Sequence, residues 1–197
     1  MRRWLVVTGL LVALLALAVP GQAAGPMQQL QQYTDRIIAI IEDPRHSGPD
    51  GRLARRAAVR SAAVEMFDSV EAGRRALGIH WTKLTPDEQQ RFVRLFVDLL
   101  ERAYVTKVDL YGGQRVRYLG ESVEGDHATV RARVLTKRGT EVPVETKMLS
   151  RSGRWLVYDV FVENIGLIAN YRAQFDRVIR TSSFQELVRR LEKARDD

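Results

Sequence analysis

Between Arg115 and Val162 the chain carries four short apolar runs separated by tight polar turns, and no other stretch restricts the fold as much. The run Ala128 to Thr136 alternates: Ala128, Val130, Ala132 and Val134 fall on one face, Arg131 and Arg133 on the other. That period of two is the strand period. Arg115 to Ser122, Glu141 to Leu149 and Arg154 to Val162 complete the set. Glu124-Gly125-Asp126, Arg138-Gly139 and Ser152-Gly153 read as the turns. Connections this short cannot make a crossover, so consecutive strands are antiparallel neighbours. Pro143 has no N–H for a ladder, and its strand is expected at an edge, or bulged at that point.

Helical periodicity flanks the strands. Thr85-Pro86-Asp87-Glu88 is a complete helix start. The threonine hydroxyl can accept from the Glu88 N–H, the glutamate can reach back to the cap, and proline suits the first helical position. Phe92, Leu95, Phe96, Leu99, Leu100, Ala103 and Tyr104 then recur on one broad face over about five turns. Met27 to Ile41 is helical, with Leu30, Tyr33, Ile37, Ile38 and Ile41 as its stripe and Glu42-Asp43-Pro44 as its stop. After a polar loop, Arg52 to Phe67 is helical again, with Leu53, Ala57, Val64 and Phe67 apolar. Asp68-Ser69 caps a short helix, Val70 to Leu77, that Gly78 closes. Two helices end the chain, about Leu167 to Arg180 and Ser183 to Ala194, the second capped by Ser183 with Glu186 three residues on.

The first residues read as an export signal. Met1-Arg2-Arg3 is cationic, an apolar run extends from Trp4 to Val19, and Pro20-Gly21 ends it. Small residues at Gly21 and Ala23 place cleavage after Ala23, with Ala24 as the second choice. The run is short for a membrane span. The expected mature chain, residues 24–197, contains no cysteine, hence no disulfide and no lipidation site. Net charge is +7, and losing Arg2 and Arg3 with the leader lowers it by two. In an exported protein this surplus suits anionic headgroups better than nucleic acid, for which no motif exists, and it equally suits simple solubility. Arg52, Arg55, Arg56 and Arg60 recur at helical spacing, either as a docking patch for an acidic partner or as a solvated face.

Reactive chemistry is sparse. His46, His80 and His127 are isolated, without the ligand-spaced partners that zinc needs. There is no thiol nucleophile, no Gly-x-Ser-x-Gly, and Gly112-Gly113 is too little for a phosphate loop. Asp159 and Glu163 are the only carboxylate pair worth weighing, and they fit solvent or arginine contacts better than catalysis. No catalytic residue and no metal ligand is assigned. Apolar surface is plentiful instead. Phe92, Phe96, Leu99 and Tyr104 on the long helix could face Val130, Val134, Val144, Met148, Trp155, Val157 and Phe161 on the sheet. A gap between those layers would suit acyl chains, each buried methylene gaining about 0.8 kcal/mol. Patterning alone does not separate such a pocket from a filled core.

Several of these segments together resemble one family. Phe67-Asp68, Leu77-Gly78, Trp81, Thr85-Pro86, Glu88-Gln89 and Phe92 are similar to the MlaC family of periplasmic phospholipid-binding proteins. So are Gly153-Arg154-Trp155-Leu156-Val157-Tyr158-Asp159-Val160 and Asn170-Tyr171-Arg172-Ala173-Gln174-Phe175. The likeness runs from about Leu30 to Leu191. It departs after the last strand, where the family has Glu-Gly-Val-Ser-Leu and this chain has Glu163-Asn164-Ile165-Gly166-Leu167, placing Gly166 at the position of a serine N-cap. The resemblance implies an α+β fold: a four-stranded antiparallel curved sheet packed on a long helix, nuclear-transport-factor-2-like, with an added helical subdomain. It implies one lipid-binding domain at 24–197 after the 1–23 leader, with a helical part at about 27–107, a sheet at about 115–162 and C-terminal helices at about 167–194. It adds Tyr171 and Phe175 to the lipid-contacting set, and Arg172 as the headgroup candidate. It further implies a monomeric periplasmic carrier whose cargo is phospholipid, with no other cofactor. Its transient partners would be an outer-membrane lipoprotein complex and an inner-membrane ABC transporter. Two alternatives remain open at this level: an enzyme built on the same cone-shaped fold, and a ligand-free adaptor.

Overall fold

The computed structural model describes residues 24–46 and 48–196. The expected leader at 1–23 lies outside them. The chain opens with α1 (Pro26–Glu42), a 3-10 turn at Pro44–His46, α2 (Gly48–Met66) and α3 (Ser69–Leu77). After a 3-10 segment at Gly78–Lys83 come α4 (Pro86–Tyr104) and a further 3-10 stretch, Val105–Leu110. Strands β1 (Arg115–Glu124), β2 (His127–Leu135), β3 (Glu141–Arg151), β4 (Arg154–Val162) and β5 (Ile165–Gly166) follow, then α5 (Leu167–Thr181) and α6 (Phe184–Asp196).

The sheet is an antiparallel meander in the order β1-β2-β3-β4-β5. The α+β class and the antiparallel curved sheet stand. A fifth strand, absent from the sequence reading, is the two-residue β5. It returns on β4 through Glu163-Asn164, both with positive φ, as a two-residue hairpin turn demands. Pro143 requires a second correction. Its strand β3 is interior, between β2 and β4. The proline is tolerated because β4 ends opposite Val144, and the Pro143 carbonyl accepts from the Glu163 N–H just beyond that end. The register irregularities fall elsewhere, at Tyr118/Gly120 and at Lys147/Met148.

Two apolar clusters form. The first belongs to the sheet: Ala128, Val130, Met148 and Val157 are buried beneath Leu30 of α1, with Met27, Met66, Phe67, Tyr118 and Trp155 around them. The helix over this sheet cluster is therefore α1, and not α4, the long helix that the resemblance implies. The second cluster is helical. Phe92, Leu95 and Phe96 of α4 pack on Ala72, Ala76 and Leu77 of α3, Phe175 of α5, and Phe184, Leu187, Val188 and Leu191 of α6. The capping box at the head of α4 is present: the Glu88 N–H donates to Thr85 Oγ1 (3.3 Å) and the Thr85 N–H to Glu88 Oε2 (2.9 Å). Gln89 Nε2 donates to the Trp81 carbonyl at 3.1 Å, which ties the preceding segment to the same helix.

Phe67 and Asp68 join the two halves. Phe67 touches both clusters and bridges Val157 of β4 in parallel. The Asp68 N–H donates to the Val157 carbonyl (2.8 Å), while its carboxylate caps α3 at the Glu71 N–H (2.9 Å) and accepts from Arg151 Nε (3.0 Å). Two residues thus stitch the helical part onto the edge of the sheet.

Candidate functional site

A crevice opens where α2, α4 and the start of α5 fail to close on one another. Ala63, Val64, Met66 and Phe67 form one wall, Val97, Leu100, Tyr104 and Val105 the other, and Leu167 the floor between them. Its cavity volume is about 180 Å³, and it is open to solvent on one side. Its few polar side chains include Ser69 and an ion pair, Arg60 Nε to Glu101 Oε2 at 2.7 Å. At about 180 Å³ it is smaller than the roughly 300–1,000 Å³ usual for small-molecule sites, but its apolar lining with few polar groups is their usual character. Val64 is 52% exposed and Tyr104 43%, so both stand at the open side.

The residues expected to line a pocket are distributed over three places. Tyr104 alone lies on the crevice. Phe92, Phe96, Tyr171 and Phe175 form a packed aromatic cluster: Phe92 stacks on Phe96 at 5.6 Å, and Phe175 meets both edge-on at 5.6 and 5.5 Å. Tyr171 meets Phe96 edge-on at 5.4 Å. Its phenol is pushed up to about 12, first by burial and then by the neighbouring Tyr104. Leu99 packs against the same cluster. Phe92 and Phe96 are fully buried in it, as in a packed core. Val130, Met148, Val157 and Trp155 belong to the core under α1. Val134, Val144 and Phe161 are half-buried on the sheet. No single wall joins α4 to the sheet, because α4 packs on α3 and α6 instead. Arg172 lies against Gly78, where a β-carbon would come within 2.7 Å of its Nε, and away from the crevice.

The walls missed by sequence reading are those of α2 and the neighbouring face of α4. Val64 and Phe67 were legible as an apolar stripe, but nothing local says which helix they face. Leu100 was on the α4 stripe, while Val97 lies beside it and carries no separate signal.

The arginine run on α2 is compensated within the chain. Arg55 Nη2 and Arg56 Nη2 each reach Asp109 at 2.5 Å, and Arg60 pairs with Glu101. The two guanidinium groups, Arg55 foremost, hold the Asp109 carboxyl below its ordinary range. Three of the four arginines thus fasten α2 to the end of α4 and the 3-10 stretch after it. Their expected role as a free docking patch is reduced to Arg52.

Gly166 is explained by its surroundings. A β-carbon there would lie 2.7 Å from Phe161 Cε1 and 2.8 Å from its Cζ. The missing cap is replaced from the sheet: Asp159 Oδ1 accepts from the Ile168 N–H at 3.0 Å and from the Val160 N–H at 2.8 Å. Burial raises the Asp159 carboxyl, and these two donors oppose the rise. That occupation leaves Asp159 as a helix cap, apart from any acid/base pair with Glu163. Among the described residues no group of three metal-ligating side chains converges. His80 is held by Asp176 (2.8 Å) and His127 by Asp126 (2.6 Å).

Known proteins can be set against this geometry. The chain is 18% identical over 200 residues to the intermembrane phospholipid transport system binding protein MlaC of Haemophilus influenzae, covering 98% of this chain and 94% of that one. Its fold superposes with a TM-score of 0.76 on the phospholipid-binding protein of Ralstonia solanacearum, solved in complex with a phospholipid. That match is 25% identical and covers 88% of this chain and 98% of the other. The MlaC protein family itself matches residues 31–193, nearly all of the described residues, and to that family the chain belongs.

Proposed function

We propose that this chain is a phospholipid carrier. The observation that carries the reading is the crevice between α2, α4 and α5, whose walls are apolar save for Ser69 and the Arg60–Glu101 pair at its margin. An acyl chain placed there leaves water at about 0.8 kcal/mol per methylene, so ten methylenes contribute on the order of 8 kcal/mol before the cost of ordering. The site has one open side, Val64 and Tyr104 are accessible at it, and cargo can leave without unfolding. A relative named for intermembrane phospholipid transport and a fold neighbour holding a phospholipid support the same reading.

The finer statement follows the family. The leader is removed after Ala23, residues 24–197 act in the periplasm as one monomeric domain, and lipid moves between an outer-membrane complex and an inner-membrane ABC transporter, sustaining outer-membrane lipid asymmetry. Both encounters are transient, because a shuttle that held either partner tightly would not cycle. The chain is a binder, with no catalytic group assigned.

The test is native mass spectrometry of protein purified gently from its own cell envelope, followed by lipid extraction. A mass excess matching a diacyl phospholipid, recovered in the organic phase, is expected. A bare polypeptide mass with an empty organic phase overturns the reading.

A further inference from the structure

Beside the apolar crevice lies a second cleft, lined by Arg56, Ala57, Arg60, Glu101, Arg102, Val105 and Thr106. The two share Arg60, Glu101 and Val105, so they are neighbours across the Arg60–Glu101 ion pair. The charges around the second cleft do not balance. Arg56 is held by Asp109 and Arg60 by Glu101, each carboxylate engaged at 2.5 to 2.7 Å. Arg102 stands apart: its Nη2 is buried and finds no hydrogen-bond partner in the protein. A buried guanidinium nitrogen without an acceptor is costly, and native proteins rarely leave one. An acceptor brought by a ligand removes that cost.

We propose that Arg102 is the seat of a phosphate group, and that the second cleft takes the phosphodiester of the lipid whose acyl chains occupy the crevice. The inference rests on the carrier reading and extends it from the tails to the headgroup. The chemistry is that of a charge-assisted hydrogen bond from a guanidinium nitrogen to a phosphate oxygen. Position fits as well. Arg102 follows Glu101 on α4, and the two clefts meet at Arg60, Glu101 and Val105, so an anchored phosphate sits beside that junction while the tails run inward between Phe67 and Leu100. The seat replaces Arg172, which lies elsewhere. It does not select among headgroups by what lies beyond the phosphate, since its one unpaired donor reads only the oxygens every phospholipid shares.

The experiment uses delipidated full-length mature protein, Arg102→Met and Arg102→Lys. Methionine keeps much of the apolar stem and removes the charge. Each protein is titrated with three probes: dioleoyl phosphatidylglycerol, dioleoylglycerol of the same tails without phosphate, and inorganic phosphate. Arg102→Met is expected to bind the phosphatidylglycerol roughly 10–100-fold more weakly and the dioleoylglycerol unchanged, with Arg102→Lys between. Equal weakening for both lipids, or none for either, overturns the seat. Inorganic phosphate distinguishes the source of the anion. Millimolar or weaker binding fits a lipid phosphate that depends on its tails. Binding as tight as the lipid's, lost in Arg102→Met, makes free phosphate the ligand and overturns the headgroup assignment. Failure of the carrier reading looks different, since wild-type protein would then retain neither lipid.

Discussion

The two halves of α4 share one apolar stripe and meet opposite fates. Toward the N-terminus Phe92, Leu95 and Phe96 are fully enclosed by α3, α5 and α6. Toward the C-terminus Val97, Leu100 and Tyr104 look across open space at α2. Composition along the helix does not account for this, since aromatic and aliphatic side chains occur in both halves. The difference lies in what covers them. The helices α5 and α6 return over the first half, whereas α2 meets the second through ion pairs with Asp109 and Glu101 at the margin and leaves the apolar side chains between them uncovered. A helix stripe fixes which side chains must leave water. It does not fix whether protein or ligand covers them.

The sharpest way to break the comparison is to cut a large side chain from the closed half. Phe92→Ala removes a ring that stacks on Phe96 and meets Phe175 and Phe184. It should cost about 3–5 kcal/mol, read from urea unfolding. A loss below about 1 kcal/mol would mean that the cluster is as loosely filled as the crevice. The truncation should not create a second lipid site, because the void lies deep among helices.

A second test concerns how the closed half is fastened to the sheet. Glu71 of α3 is buried, accepts from Arg74 and Arg75, and lies near Arg151 of β3. Arg74 foremost, then Arg75, hold its carboxyl down at about 2. A carboxyl depressed in the folded state stabilises above its unfolded value near 4.5, and that stability is lost as pH falls toward 2. The contribution is at most about 3 kcal/mol, reduced by solvent around half-exposed Arg74. Stability measured from pH 6 to pH 2.5 should therefore fall less steeply in Glu71→Gln, even though that variant is weaker at neutral pH. Parallel slopes would assign the acid sensitivity to other carboxylates.

The start of α5 borders both regions, since Leu167 lines the crevice and also packs on the helical core. Gly166→Ser would supply a conventional cap, yet its β-carbon meets the Phe161 ring and Asp159 already serves the Ile168 N–H. A net loss of roughly 1 kcal/mol is expected, recovered when Phe161→Leu is added. A gain in melting temperature from Gly166→Ser alone would show that the ring yields freely.

Much of this was legible in the chain. The strand Arg154–Val162, the capping box at Thr85 and Asp68 as a cap all follow from local rules, because period, turn and cap are decided within a few residues. Ser183 likewise accepts from the Glu186 N–H at 3.1 Å. What was not legible is long-range. Nothing near α1 announces that it, and not α4, covers Val130 and Met148. Pro143 reads as an edge residue because a sequence does not display where the neighbouring strand stops. The crevice walls were missed for the same reason. They come from helices far apart in sequence, joined by the pairs Arg55–Asp109, Arg56–Asp109 and Arg60–Glu101, which no local pattern displays.

The smallest expected change in stability carries the most functional weight. Val64 is 52% exposed on the α2 wall, so replacing it removes little that is buried. Val64→Trp should leave unfolding free energy within about 0.5 kcal/mol, the usual range for surface positions. The indole should lie inward over Leu100 and Tyr104, because apolar area there is already exposed and gains by being covered. It would then do to the open half of α4 what Phe175 and Phe184 do to the closed half. Lipid recovered with the purified protein should fall several-fold, with near-ultraviolet circular dichroism reporting an ordered tryptophan. Full lipid retention with an ordered indole would place the cargo outside this crevice. Lost retention with unchanged stability would show that the two halves of one stripe differ only in whether the chain or its ligand completes them.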